Sequence, residues 1–287
     1  MIKKGIILAG GTGSRLSPLT KIINKQLLPL YDKPLIFYPL SILMLAGIRD
    51  ILIITNPNED LNFKKILKNG SGFGIKIQYL TQQKPNGLPE AFIIGEKFIK
   101  KQNVALILGD NFFYGQGFTK RLEKHIKKKI GSTIFTYQVN NPQDYGVVEI
   151  KNNKILNIKE KPKKSKSNLA ITGLYFFDKN VVKFSKKLKP SKRKELEIVD
   201  LLKKYLKIKK LKAEFMGRGS AWLDTGNVES LFETSQFISN IEKRQGLKIA
   251  CLEEIALNNK WISKSIINKQ IAFYGNCDYS KYLKKLI

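Results

Sequence analysis

The residues best suited to chemistry lie near the beginning of the chain. Gly10, Gly11 and Gly13 follow a short apolar run, and two cations, Arg15 and Lys25, come soon after them. Glycines allow the backbone to turn sharply and to present N–H groups to an anion, and fixed positive charges offset the charge of a phosphate. The spacing of these residues therefore indicates a phosphate-binding loop.

Two familiar nucleotide-binding loops fit this stretch less well. A dinucleotide-binding loop needs a third glycine at the position of Leu16 and a helix that begins there, but Pro18 interrupts the following segment. A P-loop needs a Gly-Lys-Ser or Gly-Lys-Thr sequence, which does not follow. A purely structural glycine turn is a further alternative, but the presence of Arg15 and Lys25 nearby makes it less favoured. We expect an extended loop rather than an immediate helix.

Apolar segments alternate with turn residues along the first part of the chain. Short apolar runs are typical of buried strands, whereas longer segments with apolar residues every three or four positions predict helices. Strands are expected at 6–8, 51–55, 75–80 and 104–108, and helices at 35–46, 58–68 and 89–100. Repeated strand–helix–strand units predict an α/β fold whose largely parallel sheet is covered by helices on both faces.

Beyond Asp110 the alternation is less regular. Helices are predicted at 118–129, 180–188, 197–205 and 227–243, and strands at 133–139, 169–177 and 211–216. The Asn152-Asn153 pair between apolar stretches indicates a hairpin. The last part of the chain carries short helical patterns at 252–258, 263–269 and 279–286 and no chemical motif of its own.

Ligands of open parallel sheets bind at the carboxyl ends of the strands, so residues that follow predicted strands are candidates for a site. Gln82 and Gly87 follow the strand at 75–80, and this polar stretch suits the edge of a flat heterocycle. Asp110 follows the strand at 104–108, where a hard cation could lie beside a phosphate. Each such sequence alone could be a turn, but their occurrence together favours a shared site.

The chain offers no evident catalytic base. Its one histidine, His125, falls in a lysine-rich helical segment and is expected to lie on the surface, and neither cysteine has a catalytic setting. This suits phosphate transfer, because a phosphate monoester is already ionised near neutral pH and can attack without losing a proton. Such a reaction needs positioning, a metal ion and cations that offset charge on the reacting phosphates.

Composition limits the class of protein. With 287 residues, 43% of them hydrophobic, the chain can build a large core, and no apolar stretch is long enough to span a bilayer. Two cysteines and the lack of a leader sequence lead us to expect a cytoplasmic protein without a disulfide framework. The net charge of +29 fits nucleic-acid binding or a compositional bias, and scattered lysines without interleaved aromatic residues favour the bias.

Many ordered sequences resemble those of the sugar-1-phosphate nucleotidyltransferases, above all the members that use dTTP and glucose 1-phosphate. The similar stretches, which extend over nearly the whole chain, are 10–16 with Pro18, 25–29, 109–111, 145–149, 160–162, 172–175, 195–198, 222–226 and 251–256. The resemblance implies a Rossmann-like three-layer α/β/α fold with a mixed, mostly parallel central sheet, a sugar-binding insertion and a C-terminal helical appendix.

The resemblance also implies a domain organisation. A nucleotidyltransferase domain would cover 1–245, with nucleotide binding in roughly 1–115 and sugar-phosphate binding in roughly 116–226. A C-terminal helical segment over 246–287 would pack on the same domain.

The implied reaction transfers a thymidylyl group from dTTP to α-D-glucose 1-phosphate by in-line attack and gives dTDP-glucose and pyrophosphate. It would be the first step toward dTDP-L-rhamnose, a cell-surface polysaccharide precursor, carried out in the cytoplasm by a homotetramer. Asp110 and Asp224 would hold the cofactor, Mg²⁺, and the catalytic residues would be Arg15, Lys25 and Lys161.

Further residues are assigned by the same resemblance. The implied nucleotide-binding residues are Gly10, Gly11, Thr12, Gly13, Ser14, Arg15, Gln26, Gln82, Pro85, Gly87, Leu88 and Asp110. The implied sugar-phosphate-binding residues are Asn111, Tyr145, Gly146, Glu160, Lys161, Thr172, Gly173, Tyr175, Arg193 and Trp222. A second, regulatory nucleotide site would use Tyr114, Gly115, Thr119, Arg218, Glu254 and Ile255.

Three positions depart from the usual family pattern. Ser14 stands where threonine is usual and keeps the hydroxyl, and Asn24 replaces the usual serine before Lys25. Thr119 stands where histidine is common, which puts regulation rather than catalysis in question. Two alternatives stay open: a UTP-using enzyme for the same sugar phosphate and, in a different class, a basic nucleic-acid-binding protein on this scaffold.

Overall fold

The computed structural model describes residues 1–127 and 130–287. Its strands are β1 (Lys4–Ala9), β2 (Pro29–Leu30), β3 (Lys33–Pro34), β4 (Asp50–Thr55), β5 (Lys76–Thr81), β6 (Val104–Leu108), β7 (Asn111–Gly115), β8 (Ser132–Gln138), β9 (Gly146–Lys151), β10 (Lys154–Glu160), β11 (Leu169–Phe177), β12 (Leu211–Phe215) and β13 (Ser220–Asp224).

Its helices are α1 (Phe37–Leu45), α2 (Asp60–Leu67), α3 (Glu90–Ile94), α4 (Glu96–Ile99), α5 (Phe118–Ile126), α6 (Val181–Ser185), α7 (Ile198–Lys207), α8 (Val228–Gln245), α9 (Leu252–Asn258), α10 (Lys264–Tyr274) and α11 (Asp278–Lys284). The last two positions of the helix predicted at 118–129 lie outside the described residues. Among the described residues, no helix is both long and apolar enough to cross a membrane.

A mixed, mostly parallel sheet forms the centre of the molecule. Strands β5, β4, β1 and β6 lie side by side in parallel, and β11 is added antiparallel to β6. Both β8 and β9 pair with β11, β10 pairs with β9 in the predicted hairpin, and β12 runs parallel to β8. The predicted fold class is confirmed, and the carboxyl ends of β1, β4, β5 and β6 meet at one edge of the sheet.

Alternate residues of the central strands contribute to two separate cores. Ile7 and Ile53 pack in a buried cluster with residues of α1, α2, α5 and α9. Ile6 and Leu52 belong to a second cluster with residues of α3, α6 and α7. Because successive side chains of a strand point to opposite faces, a continuous apolar run buries both faces of the sheet. The result is the three-layer arrangement expected from the sequence.

The helix predicted at 89–100 is interrupted. It forms two short helices, α3 and α4, that meet at Gly95. A Cβ at Gly95 would lie 3.1 Å from a side-chain carbon of Leu52 and 3.2 Å from one of Ile6. The glycine therefore allows a close approach to the sheet, at the expense of helix continuity.

His125 does not lie on the surface, so that prediction is wrong. Its side chain is buried on the inner face of α5 together with Phe118 and Leu122, seven and three positions before it. Its Nε2 lies 2.6 Å from a carboxylate oxygen of Glu214 on β12. The prediction was guided by the surrounding lysines and did not consider that His125 shares a helix face with these two apolar residues, and its acidic partner comes from a distant strand.

A small second sheet was not expected from the sequence. Strand β7 pairs antiparallel with β13, in register from Gly115 opposite Ser220 to Asn111 opposite Asp224. The connection from β6 to β7 is only Gly109-Asp110, and β13 belongs to a stretch that reads as a turn. The pairing joins distant parts of the chain and brings the end of β13 to the edge of the main sheet.

The C-terminal helices pack on the rest of the molecule. Leu252 and Ala256 of α9 are buried in the same cluster as residues of α1. Ile267 of α10 and Leu283 of α11 form a separate small cluster with Cys251. The division into a domain at 1–245 and a segment at 246–287 stays a prediction.

Removal of a buried aromatic ring tests whether Phe135 belongs to the hydrophobic core. Phe135 is fully buried and meets the rings of Phe118 and Phe176 edge to face, at centroid distances of 6.0 and 5.5 Å. We expect Phe135→Ala to lower the free energy of unfolding by about 3–5 kcal/mol, because it leaves a cavity. Phe232→Ala, at a position 62% exposed on α8, should lower it by less than about 1 kcal/mol. Equal losses in urea denaturation would contradict this assignment of the core.

Candidate active site

The glycine loop leaves the end of β1 and turns back. Gly11 and Gly13 have φ angles of +101° and +59°, which glycine adopts without strain. Short 3₁₀ turns follow at Ser14–Leu16, Leu19–Lys21 and Lys25–Leu27, and no α-helix begins there, as expected.

Asn56 holds the glycine loop from the neighbouring strand. Its Oδ1 accepts a hydrogen bond from the Gly11 N–H at 3.0 Å, and its Nδ2 donates to the Gly11 carbonyl at 2.9 Å. Two bonds from one amide fix the position of this turn. Asn56 was not identified from the sequence, although it directly follows β4 and the strand-end rule applies to it.

Lys25 is buried and pairs with an aspartate at the end of β6. Its Nζ lies 2.5 Å from Oδ2 of Asp110. The turn that carries Lys25 is set by Asn24, which accepts a bond from the Gln26 N–H at 2.8 Å and donates to the Ala9 carbonyl at 3.2 Å. The departure from serine at position 24 thus leaves a side chain that ties the turn to β1.

Strand β13 brings Asp224 to Asp110. Asp224 lies opposite Asn111, and the N–H and hydroxyl of Thr225 donate to the Asp110 carbonyl at 3.1 and 2.8 Å. Burial, together with the nearby charge of Asp110, raises the pKa of Asp224 to about 6. Burial also acts to raise the pKa of Asp110, but the ammonium of Lys25 more than offsets it and brings this pKa below its ordinary value. The pair carries negative charge that a cation would offset.

Arg15 lies beside Asp224 over a glycine. A Cβ at Gly226 would lie 2.7 Å from Nη2 of Arg15 and 3.1 Å from Oδ1 of Asp224. The guanidinium of Arg15 and the carboxylate of Asp224 therefore both lie close to the backbone of Gly226. The structure therefore brings both predicted cations, Arg15 and Lys25, to the two aspartates.

Asn111 connects this charged group to the predicted sugar side. Its Nδ2 donates to Oδ1 of Asp110 at 3.0 Å. Its Oδ1 accepts from the N–H of Gly173 at 2.9 Å and from the indole N–H of Trp222 at 2.6 Å. The amide of Asn111 is thus engaged within the protein, where it orients Asp110 and Trp222.

A cleft of about 290 Å³ opens beside the two aspartates. Its wall includes most of the residues predicted to bind the sugar phosphate: Asn111, Tyr145, Gly146, Glu160, Lys161, Gly173, Tyr175, Arg193 and Trp222. The predicted nucleotide, catalytic or metal residues on the same wall are Arg15, Leu88, Asp110 and Asp224.

Thr172 is not among the described residues that line this cleft. Its side chain is fully buried, and its hydroxyl donates to the Phe135 carbonyl at 3.1 Å. The pairing of β11 with β8 is irregular between Ile171 and Tyr175, which changes how the side chains alternate. Residue alternation along an ideal strand could not have shown this.

Acidic residues hold Arg193 in place on the wall of the cleft. Arg193 pairs with Glu197 through two hydrogen bonds, Nε–Oε1 at 3.2 Å and Nη2–Oε2 at 2.8 Å, and lies 3.7 Å from Glu160. Burial and the charge of Glu197 raise the pKa of Glu160. The hydrogen bond between Arg193 and Glu197 raises the pKa of the Arg193 guanidinium. The main-chain N–H of Lys161 donates to the main-chain carbonyl of Tyr145 at 3.0 Å.

Among the remaining predicted nucleotide residues, Gln82 lies next to the glycine loop. A Cβ at Gly10 would lie 3.2 Å from Oε1 of Gln82, so the loop and this amide are neighbours. Gln26 is buried in the turn after Asn24, and Pro85 is exposed. The loop, Gln82 and the cleft together form a continuous candidate site along the carboxyl edge of the sheet.

A second cavity of about 330 Å³ lies between β7, α5 and the C-terminal helices. Of the residues predicted for a regulatory site, it is lined by Tyr114, Gly115, Thr119, Glu254 and Ile255. Arg218 is exposed and is not among the described residues of this wall. A regulatory role for the cavity stays a prediction.

The chain is similar in sequence and fold to proteins that transfer nucleotidyl groups. The nucleotidyl transferase family model matches residues 4–241. A glucose-1-phosphate thymidylyltransferase from Neisseria meningitidis is 53% identical over 285 residues, 99% of each chain. The crystal structure of a Bacillus anthracis protein in complex with sucrose has a TM-score of 0.76 at 39% identity and covers 82% of this chain and 94% of that one. UDP-glucose pyrophosphorylase complexed with UDP-glucose has a TM-score of 0.73 at 28% identity, over 85% and 100% of the two chains.

The loop after β5 depends on Gly87. This residue has a φ of +100°, and a Cβ there would lie 2.1 Å from the Leu196 carbonyl oxygen. We expect Gly87→Ala to lower the free energy of unfolding by about 1–2 kcal/mol for the positive φ and by a further amount for the displaced Leu196 segment.

Gly47→Ala is the matched control, because Gly47 has a φ of +75° and open space around its Cβ position. Chemical denaturation of both variants separates backbone strain from the clash. If Gly47→Ala is destabilised as much as Gly87→Ala, the close contact with Leu196 has no energetic weight.

Proposed function

The chain belongs to the nucleotidyl transferase family, and we propose that its cleft performs Mg²⁺-dependent transfer of a thymidylyl group from dTTP to α-D-glucose 1-phosphate. It is an enzyme of the nucleotidyltransferase class, as its curated relatives are. The observation that carries the proposal is the meeting of Asp110 and Asp224 with Arg15 and Lys25 at the mouth of a cleft of sugar-phosphate size.

The donor set fits Mg²⁺. Hard carboxylate oxygens suit this ion, and in phosphate-transferring sites one or two carboxylates hold it together with substrate phosphates and water. Asp110 and Asp224 would be those two ligands; among the described residues, no group of three or more His, Cys, Asp or Glu side chains is arranged so that it could hold a metal ion. When bound, the ion would offset charge on the triphosphate and polarise its phosphoryl oxygens.

The protein's own residues would supply position and charge. An oxygen of the sugar phosphate attacks the α-phosphorus of dTTP, and the bond to the leaving pyrophosphate breaks. No proton has to be removed from the nucleophile, which agrees with a cleft that has no histidine among its described residues. Arg15 and Lys25 would stabilise the triphosphate and pyrophosphate, and Lys161 and Arg193 would hold the sugar phosphate.

The second candidate is a UTP-using enzyme for the same sugar phosphate. The similarity to UDP-glucose pyrophosphorylase favours it, because that fold accommodates a uridine nucleotide. Thymine and uracil differ by one methyl group, whose contact is worth about 1–3 kcal/mol, so the two activities can coexist in one site.

The proposal has three further parts that rest on the family resemblance. The reaction would be the first step toward dTDP-L-rhamnose, a precursor of cell-surface polysaccharide. The enzyme would act in the cytoplasm as a homotetramer. The cavity lined by Tyr114, Glu254 and Ile255 would bind a feedback nucleotide.

A matrix of substrates tests the proposed function. Pyrophosphate release would be measured with dTTP, UTP, dCTP and dATP against the 1-phosphates of glucose, galactose, mannose and N-acetylglucosamine. We expect the highest kcat/KM for dTTP with glucose 1-phosphate and lower activity, by about 10–100-fold, with UTP. A higher kcat/KM with UTP would support the second candidate, and no turnover with any pair would refute both.

Replacement of the two aspartates tests the metal assignment. We expect Asp110→Asn and Asp224→Asn to fold and to lose at least about 10²-fold in Mg²⁺-dependent kcat, because each removes one carboxylate ligand. Asp60→Asn, which changes an exposed ion pair with Lys64, is the control and should keep full activity. Unchanged turnover in either active-site variant would remove that residue from the metal site.

A further inference from the structure

The amide of Gln82 is held in one orientation by an acid. Gln82 is only 5% exposed, and its Nε2 donates to Oε2 of Glu90 at 2.6 Å and to the Gly87 carbonyl at 3.5 Å. An ionised carboxylate and a carbonyl can only accept hydrogen bonds, so the nitrogen of the amide must face them. The nitrogen of the Gln82 amide is therefore directed toward these two acceptors, and the bond to Glu90 is the short one.

The oxygen of the same amide is left open toward the glycine loop. A Cβ at Gly10 would lie 3.2 Å from Gln82 Oε1, and the described residues give this oxygen no hydrogen-bond donor. The other carboxylate oxygen of Glu90 accepts from Nδ2 of Asn86 at 2.8 Å. Glu90 thus binds two neighbouring amides by their nitrogens and leaves a hydrogen-bond acceptor facing the nucleotide loop.

An oriented acceptor distinguishes pyrimidines by one atom. Thymine and uracil carry a proton on N3, whereas N3 of cytosine is itself an acceptor. An acceptor placed opposite cytosine N3 would leave two desolvated lone pairs facing each other, which costs more than the loss of a single contact. Sites that hydrogen-bond a particular group discriminate strongly against ligands that lack it.

We propose that Glu90 is a specificity-determining positioning residue, which fixes Gln82 so that its Oε1 accepts the N3–H of a thymine or uracil and excludes cytosine. This inference rests on the proposed function and deepens it, because it names the chemical feature that the nucleotide site selects. It does not involve the thymine methyl group, so dTTP and UTP both satisfy it.

The test compares kcat/KM for dTTP and dCTP in the wild-type enzyme and in Glu90→Gln. A glutamine at position 90 can donate as well as accept, so Gln82 can turn over and offer its nitrogen to cytosine N3. We expect the preference for dTTP over dCTP to fall at least about tenfold in the variant, with KM for glucose 1-phosphate unchanged. Glu96→Gln, on α4 and paired with Lys186 at the surface, is the matched control and should keep the wild-type ratio.

A modified nucleotide gives a test that needs no substitution. Wild-type enzyme should use 3-methyl-dTTP at least about tenfold less efficiently than dTTP, because the methyl group replaces the N3 proton. Equal use of the two nucleotides would overturn the inference. So would a Glu90→Gln enzyme in which kcat/KM for dTTP and dCTP falls by the same factor, since that result means a purely structural role.

Different results would contradict the role of Glu90 and the proposed function. If the wild-type enzyme releases pyrophosphate from dTTP but its preference over dCTP does not depend on Glu90, only the role of Glu90 is wrong. If it releases no pyrophosphate from any nucleoside triphosphate with glucose 1-phosphate, the proposed function is wrong and this inference with it.

Discussion

The forced proximity of two carboxylates is the constraint on which the rest of the site depends. Asp110 and Asp224 lie at the ends of different strands, and the pairing of β7 with β13 holds them together in a buried place. Burial and the repulsion from Asp110 together raise the pKa of Asp224. The repulsion is limited because Lys25 pairs with Asp110 and Arg15 lies beside Asp224. The glycine loop and the Lys25 turn thus bring cations to these acids. The charged groups are therefore already in position before a phosphate binds.

The sequence predicts the central strands that carry this site better than it predicts the small β7–β13 sheet that brings Asp224 to Asp110. The apolar runs of β1, β4 and β6 are visible because both of their faces are buried, so a simple pattern marks them. The β7–β13 pair has no such pattern, since its register depends on contacts between residues far apart in the chain. His125 was wrongly predicted to lie on the surface, because the lysines around it hide the apolar face of α5, and its bond to Glu214 joins residues far apart in the chain.

The contacts of a residue in this structure do not always follow from the motif to which it belongs. The resemblance assigns Asn111 and Thr172 to the sugar side, and these roles stay predictions. Asn111 lines the cleft while its amide contacts Asp110, Gly173 and Trp222, whereas the Thr172 hydroxyl is bonded to a backbone carbonyl. A motif transfers the type of a residue, and only its contacts decide whether it faces a ligand. Asn56 is the converse, because it lies in no recognised motif yet fixes the glycine loop with two hydrogen bonds.

The wall of the cleft has more acidic than basic residues, although the whole chain is strongly basic. The whole sequence has 52 basic and 23 acidic residues, yet the described wall of the cleft includes the acids Asp110, Asp144, Glu160, Glu195, Glu197 and Asp224 against the cations Arg15, Lys161 and Arg193. A site that bound only anions in so basic a protein would gain from more lysines and would have no use for this many carboxylates. Their concentration here is explained if the acids orient the few functional cations, as Glu197 orients Arg193, and contribute ligands to a divalent ion. The wall of the cleft therefore carries a local excess of acidic residues, although the whole chain has a net charge of +29.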